Sequence, residues 1–325
     1  MQNLNIPPLK FRPILKSVIW GGEKIAPFKG IETEQDHIGE SWEVSGVPSN
    51  PSIVDNGPDA GKTLPEVLEK YKEALVGKAV YERYGNTFPL LVKIIDAAGD
   101  LSLQVHPDDA LAQKRHNSLG KTEMWYIVDT DPDAVICAGL TKNITPDEYV
   151  EKVNDNTLMD VVAHHKSHPG DVFFLPAGRI HSIGAGNLLV EVQETSDVTY
   201  RIYDFGRVDA KTGKPRELHV EEAKDAIDYT VHPSYVTEAG PETDGKSRLV
   251  ECDHFGVYRL NIDGCRVFHP THGSFTIFTC IEGDFTVTDN NANSVSLKKG
   301  ESMLIPAITT EIKVEGKGAI VEAKC

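Results

Sequence analysis

Short runs of alternating or β-branched residues recur along most of the chain, separated by turns rich in Gly, Pro, Asn and Asp. This spacing predicts a mainly β fold of the sandwich or barrel type with a few inserted helices. Two helices are expected after Thr63 and Thr145, because each threonine precedes a glutamate at the spacing of a capping box. A third helix is expected within residues 217–229.

A polar segment at residues 237–247, rich in Gly and acidic residues, divides the chain, whose 325 residues suggest about two domains. A weak internal repeat relates residues 169–177 to residues 299–307, since both contain Gly followed by an acid, an apolar run and Pro-Ala. We therefore expect a larger domain over residues 1–236 and a smaller β domain of the same kind over residues 248–325.

The formal net charge of −16 makes nucleic acid and anionic membranes poor partners. An anionic substrate would need a few local Lys or Arg side chains to bind it. No apolar run approaches the roughly 18–20 residues that a membrane span needs. Five widely spaced cysteines without a C-x-x-C motif, and an N-terminus without an export signal, lead us to expect the reducing cytoplasm.

Three segments combine to suggest a metal site. Strand alternation within residues 101–108 places Ser102, Gln104 and His106 on one face. Lys121 and Glu123 share a strand face by the same parity, and a Pro/Gly turn leads to His181. Taken singly, each segment also fits a solvated strand edge, a surface pair or a structural histidine. Together, two imidazoles, a carboxylate and an amide oxygen suit a divalent metal such as zinc.

Two charged residues in a later segment also require an explanation. Glu191 lies in a run of Leu and Val, so its carboxylate must be paired, neutral or used in chemistry. Arg201 shares a strand face with Thr199, and the alternative to a functional role is a structural ion pair with Asp204.

The motifs taken together resemble the type I mannose-6-phosphate isomerases of the cupin superfamily, in their short bacterial form. The resemblance rests on Q-x-H at residues 104–106, K-x-E at 121–123, P-A-G-x-x-H at 176–181 and S-D-x-x-x-R at 196–201. It covers residues 10–210 well and the remainder loosely. It implies two cupin-like β-barrel or jelly-roll domains, with catalysis in the larger one. One departure is Val198, where the family usually has Asn.

The resemblance also implies roles for individual residues. The ligands of one Zn²⁺ per chain would be Gln104, His106, Glu123 and His181. Lys121 and Arg201 would line the reaction centre, Glu191 would be an acidic active-site residue, and Lys93 and Ser102 would bind the substrate phosphate. The implied reaction interconverts mannose 6-phosphate and fructose 6-phosphate through an enediolate. Its general base stays open among Glu191, a metal-bound hydroxide and a neutral lysine.

Two other functions fit parts of this pattern. Cupins with two His and a Glu also hold iron or manganese for oxygen chemistry, and a sugar-phosphate sensor could retain the same fold. The Lys and Arg residues favour a phosphosugar substrate over an apolar one. The oligomeric state is not predicted by any feature of the sequence.

The smaller domain is expected to bind no metal. The internal repeat aligns Pro176 with Pro306 and His181 with Glu311, so the metal-binding histidine is missing there. His269 and His272 are three residues apart across a proline and do not share a strand face. The His-rich residues 164–168 are expected to form a solvated loop.

Overall fold

The computed structural model describes residues 4–208, 213–270 and 273–325. It confirms the predicted mainly β fold with a few helices. The strands in these ranges are β1 (Leu9–Arg12), β2 (Ile14–Gly22), β3 (Ile38–Ser45), β4 (Ile53–Val54), β5 (Leu90–Ala97), β6 (Leu103–Val105), β7 (Glu123–Thr130), β8 (Val135–Leu140), β9 (Val162–Lys166), β10 (Val172–Leu175), β11 (His181–Ile183), β12 (Asn187–Glu194), β13 (Tyr200–Tyr203), β14 (Lys246–Glu251), β15 (Gly256–Phe268), β16 (Thr276–Asp289), β17 (Ser294–Lys298), β18 (Ser302–Ile305) and β19 (Ile312–Lys324).

The helices are short and lie between strands. They are α1 (Ile25–Lys29), α2 (Leu64–Tyr71), α3 (Glu73–Val76), α4 (Lys78–Tyr84), α5 (Asp109–His116), α6 (Pro146–Asn154) and α7 (Val220–Ala226). Both predicted capping boxes are formed, at the starts of α2 and α6. The helix expected within residues 217–229 is shorter, because the residues before it are bonded to β13: the Arg201 side chain donates to the Glu217 carbonyl and His219 N–H donates to the Arg201 carbonyl.

The strands form three antiparallel sheets. The six-stranded sheet has the order β10-β7-β12-β5-β2-β3, and the five-stranded sheet has the order β13-β6-β11-β8-β9. The C-terminal sheet has the order β14-β15-β19-β16-β18-β1-β4, with β17 paired to β16. Within the described ranges these hydrogen-bonded ladders form no closed barrel.

The six-stranded sheet lies between two hydrophobic cores. Its face toward the five-stranded sheet shares a core of residues such as Trp125, Leu189, Ile136 and Ile183. Its opposite face packs on α2 and the C-terminal sheet through residues such as Val190, Val192, Leu68 and Leu304. Because side chains alternate along β12, Glu191 points with Leu189 into the space between the six- and five-stranded sheets.

The N-terminal strand belongs to the C-terminal sheet. Leu9 on β1 is paired with Leu304 on β18, and Phe11 is paired with Val54 on β4. The predicted domains of residues 1–236 and 248–325 therefore share a sheet, whatever boundary is drawn between them.

The two segments of the internal repeat adopt the same local structure. Each contains a glycine with positive φ, Gly170 at 96° and Gly300 at 78°, followed by a strand of four residues. All five cysteines are free thiols. None of the helices in the described ranges has the length and apolar character needed to span a membrane.

Candidate active site

Two rows of cross-strand neighbours bring the predicted residues together between the five- and six-stranded sheets. On the five-stranded sheet, Gln104 on β6 is paired with His181 on β11 and with Arg201 on β13. On the six-stranded sheet, Lys93 on β5 is paired with Glu191 on β12. Cross-strand partners point to the same face of a sheet. Register therefore places five residues from distant parts of the sequence around one space.

Glu123 lies at the centre of a buried group of metal-ligating atoms. Its Oε1 is 3.1 Å from Nε2 of His181, and its Oε2 is 3.5 Å from Nε2 of His106. Nε2 of the Gln104 amide lies 3.3 Å from Nε2 of His181. Rotating the amide by about 180° would place its oxygen, a metal-ligating atom, in the same position. The ligand atoms of the two histidines and Glu123 all lie within 4.8 Å of one another.

Both histidines are oriented by backbone carbonyls. Nδ1 of His106 lies 3.0 Å from the Val198 carbonyl, and Nδ1 of His181 lies 2.8 Å from the Arg179 carbonyl. A hydrogen bond donated from Nδ1 leaves Nε2 without a proton, so its lone pair can bind a metal. Since Val198 contributes its carbonyl, the departure from the family's Asn at this position leaves the hydrogen bond to His106 intact.

Burial keeps the imidazoles neutral. It lowers the pKa of His106 well below its usual value and the pKa of His181 to about 3, and it raises the pKa of Glu123 to about 7. Lys121 Nζ lies 3.1 Å from both Oε2 of Glu123 and Nε2 of His106. In the described part of the chain, no donor makes a well-formed hydrogen bond to either Glu123 oxygen. A buried carboxylate in this condition is unfavourable, and a divalent cation would satisfy both oxygens, so the donor set fits a metal.

Arg201 is half-buried at the edge of the same space. Its Nη1 donates to the Glu217 carbonyl at 3.1 Å. Its Nε is buried and has no hydrogen-bond partner among the residues that the structure describes. Asp204, the candidate partner in a structural ion pair, instead accepts hydrogen bonds from Arg207 and Arg216. Arg201 therefore lines the cavity without an ion pair to Asp204.

Lys93 and Glu191 form a buried ion pair, with 2.9 Å between Nζ and Oε1. Trp125 Nε1 donates to Oε2 of Glu191 at 2.8 Å. Burial alone would raise the pKa of Glu191, but the positive charges of Lys93 and Lys121 outweigh it and bring that pKa to about 2. With Lys93 beside it, Glu191 is therefore ionised.

These residues open onto a cavity of about 450 Å³. Of the predicted site residues, its walls include Lys93, Ser102, Gln104, Lys121, Glu191 and Arg201. The volume falls in the usual range for a small-molecule site. His106, Glu123 and His181 are fully buried beside it.

The cavity also contains residues to which the sequence analysis gave no role. They include Lys16, Glu40, Trp42, Asp197 and Arg216. Lys16 Nζ lies 3.3 Å from the centre of the Trp42 ring, and Trp42 Nε1 donates to Glu40 at 2.6 Å. The sequence carried a signal for two of them, since strand alternation places Glu40 and Trp42 on the same face of β3.

The other histidines that the structure describes lie outside this space. The prediction of a solvated loop at residues 164–168 is wrong for its first part, because His164 and His165 lie on β9, where pairing with β8 continues the sheet. His269 is exposed and lies 3.9 Å from Glu311, while His272 is outside the described residues. A second His and carboxylate group consists of Asp109, Glu194 and His254.

Comparison with known proteins identifies the family. Residues 9–134 match the family model described as phosphomannose isomerase type I, catalytic domain, and residues 245–324 match mannose-6-phosphate isomerase, cupin domain. The mannose-6-phosphate isomerase ManA of Bacillus subtilis (strain 168) is 37% identical over 317 residues, which cover 95% of this chain and 96% of that protein. The chain belongs to the type I mannose-6-phosphate isomerase family.

Further relatives agree with this family assignment. The mannose-6-phosphate isomerase of Streptococcus mutans is 31% identical, covering 97% of each chain. The crystal structure of the mannose 6-phosphate isomerase from Bacillus subtilis superposes with a TM-score of 0.89 at 33% identity, covering 98% of this chain and 100% of that one. The predictions of the family, of its cupin-type fold and of an enzyme are confirmed.

Proposed function

We propose that the protein is a zinc-dependent isomerase that interconverts mannose 6-phosphate and fructose 6-phosphate. The observation that carries this proposal is the Glu123 carboxylate, which lies fully buried between two neutral imidazoles beside a cavity rich in Lys and Arg. The carboxylate and imidazoles call for a divalent cation, and the basic side chains suit a phosphorylated substrate. The names of the relatives supply the identity of the sugar.

The proposed ligands of the metal are Gln104, His106, Glu123 and His181. Their mixture of nitrogen and oxygen donors suits zinc. When bound, zinc would supply a Lewis acid for the sugar oxygens. The hydrogen bonds of His106 and His181 to backbone carbonyls orient both rings so that Nε2 could bind the metal.

The remaining residues act on the substrate. Moving a proton between adjacent carbons requires stabilisation of a developing oxyanion, and Lys121 and Arg201 supply positive charge for it. We assign binding of the phosphate to Lys93 and Ser102, with Lys16 and Arg216 in the walls of the same cavity. These cations provide the local positive charge that a chain with net charge −16 needs for an anionic substrate.

Glu191 is the general base in this proposal. Its pKa of about 2 depends on Lys93, and a carboxylate with so low a pKa accepts protons poorly at neutral pH. In this proposal the substrate phosphate pairs with Lys93 and weakens the contact of Lys93 with Glu191, which would make Glu191 a stronger base. The base would thus be activated by binding of the substrate.

The proposal assigns metal binding and catalysis to the domain of residues 1–236. The domain of residues 248–325 would bind no metal, since Glu311 occupies the position that corresponds to His181. The five free thiols fit the reducing cytoplasm expected from the sequence.

A coupled assay for fructose 6-phosphate, with mannose 6-phosphate as substrate, tests the function. The purified protein is assayed as isolated, after exhaustive chelation, and after addition of Zn²⁺ or, as a control, Mg²⁺, with metal content measured by mass spectrometry. We expect activity to disappear with the metal and to return with Zn²⁺. Full activity in metal-free protein would contradict the metal dependence. Oxygen uptake without isomerisation would instead support the oxygenase, and sugar-phosphate binding without turnover by the metal-loaded protein would support the sensor.

A further inference from the structure

The backbone before Glu123 is held by acceptors from other parts of the chain. Gly120 N–H donates to Oδ1 of Asp109 at 2.8 Å, and Lys121 N–H donates to the Pro107 carbonyl at 3.2 Å. The backbone of Gly120 packs closely against the start of α5, since a Cβ on Gly120 would lie 2.6 Å from the Asp109 nitrogen. The segment that carries Lys121 and Glu123 is therefore fixed on the Asp109 side.

Glu194 holds the same segment from the opposite side. Its Oε2 accepts the Thr122 N–H at 2.8 Å, and its own N–H donates to the Thr122 carbonyl at 3.1 Å. The Glu194 side chain is almost fully buried. A hydrogen bond from an amide to an ionised carboxylate is stronger than one to a neutral acceptor. Glu194 thus fixes the residue that lies between Lys121 and Glu123.

The second oxygen of Glu194 reaches the C-terminal sheet. Oε1 lies 2.9 Å from Nδ1 of His254, which is in the turn between β14 and β15. This turn is itself fixed, since Arg83 donates to the Asp253 carbonyl at 2.7 Å and the thiol of Cys325 to the His254 carbonyl at 3.2 Å. The C-terminal sheet therefore supplies His254 as a partner for Glu194, whose carboxylate accepts the backbone hydrogen bond of Thr122 beside the site.

We propose that Glu194 is a positioning residue for Lys121 and Glu123, and that His254 of the C-terminal sheet fixes its orientation. The inference rests on the proposed function in so far as it assigns roles to Lys121 and Glu123. A buried carboxylate that loses a neighbouring partner must turn toward another donor or move toward water. Either change weakens its hydrogen bond to Thr122 and shifts the two side chains beside it.

A second metal site at Asp109, Glu194 and His254 is the competing interpretation, since their ligand atoms lie within 4.8 Å of one another. Two contacts argue against it. Asp109 Oδ1 and Glu194 Oε2 each already accept a hydrogen bond from a backbone amide. A metal would have to compete with these amides, which favours an ion pair between Glu194 and His254.

The test uses the full-length, metal-loaded protein with Glu194→Ala, Glu194→Gln and His254→Gln. Glu322→Gln is the matched control, because it weakens the 2.6 Å pair with Lys246 in the C-terminal sheet, a pair to which we assign no role in the site. Amide hydrogen exchange of the peptide containing Thr122, metal content, melting temperature, kcat and KM are measured for each. Exchange at Thr122 does not depend on turnover, so it tests the positioning role even if the proposed function fails.

In Glu194→Ala we expect exchange at Thr122 to be faster by about tenfold, as for the loss of one buried hydrogen bond. We expect kcat to fall by about tenfold or more through misplacement of Lys121, with KM within about twofold. In His254→Gln, exchange at Thr122 should also be faster and kcat should also be lower, but by smaller factors than in Glu194→Ala. Glu194→Gln keeps an oxygen for the Thr122 amide and should restore part of the protection.

Unchanged exchange and kcat in Glu194→Ala and His254→Gln, even with a lower melting temperature, would show that the pair is merely structural. A second metal ion per chain that is lost in His254→Gln would overturn the ion-pair assignment in favour of a metal site. Equal effects in Glu322→Gln would show that the response is not specific to this pair.

Discussion

Nζ of Lys93 lies 2.9 Å from Oε1 of Glu191, and both side chains are more than nine-tenths buried. The pair is flanked by two tryptophans, because Trp42 is the cross-strand partner of Lys93 and Trp125 is that of Glu191. Burial lowers the pKa of Lys93, but Glu191 and Glu40 outweigh it and raise that pKa above its usual value. The lysine is thus firmly charged beside the cavity.

Lys93→Met should lower the free energy of unfolding by about 3–5 kcal/mol, since it leaves Glu191 buried without its partner. It should also raise KM for mannose 6-phosphate. Lys29→Met is the matched control, because Lys29 forms a similarly buried pair with Glu43 at 2.6 Å. Denaturant unfolding should show a loss of similar size in the control, whereas its KM should not change. Equal KM values in both variants would refute a role for Lys93 in phosphate binding.

Arg201→Lys should retain metal and lose at least about 10²-fold in kcat, the scale for one oxyanion stabiliser. Lysine keeps the charge but not the planar fork of donors. Arg207→Lys serves as the control, because Arg207 bonds Asp204 and is not among the residues that line the cavity; its kcat should stay within about threefold. Steady-state kinetics with metal analysis checks both variants. A folded, metal-loaded Arg201→Lys with normal kcat would show that Arg201 is structural.

The contact between His254 and Glu194 should depend on pH. The close contact with Glu194 raises the pKa of His254, and Asp109 adds to the effect, while burial and Arg83 oppose it. Because the folded pKa exceeds the unfolded value of about 6.5, the stabilisation is fully present below that pH. It is lost as pH rises through the raised pKa. Denaturant unfolding of the parent protein and of His254→Gln should therefore differ most in acid and converge in alkali. A difference that grows with pH would contradict this assignment.

Replacing His269 and His272 together with Ala should leave about one metal ion per chain and kcat within about threefold, because His269 belongs to no cluster of metal-ligating side chains among the described residues. His269 is exposed, and its Nδ1 lies 3.9 Å from Oε2 of the exposed Glu311. Mass spectrometry of the metal and the coupled assay check the result. Loss of half the metal, or of turnover in a folded variant, would mean that the C-terminal domain has a metal site.

The parts of the site that lie close together in sequence could be predicted from it. Strand alternation separates Gln104 from the core residues Leu103 and Val105, and the structure shows both of these fully buried. The capping boxes at Thr63 and Thr145 set the starts of two helices through bonds within four residues. Such patterns depend on local geometry, which the sequence specifies directly.

Neighbours across sheets could not be predicted in the same way. Lys16, Trp42 and Lys93 meet because the part of β3 around Trp42 pairs with β2 on one side and, in an additional pairing, with β5 on the other. No periodicity within one strand specifies which strands are adjacent. The contact of Glu194 with His254 joins residues 60 positions apart on different sheets. Local pattern offers no signal for it, because a lone His in a turn is ordinary.

The place of β1 in the C-terminal sheet has a consequence for how the chain folds during synthesis. Leu9 leaves the ribosome long before its partner Leu304, and at ordinary bacterial and eukaryotic rates the delay is roughly 15 to 60 s. During that interval the β18-facing edge of β1 has no native strand to pair with. Unpaired strand edges promote aggregation, so the nascent chain has a vulnerable interval that ends only when the last strands emerge.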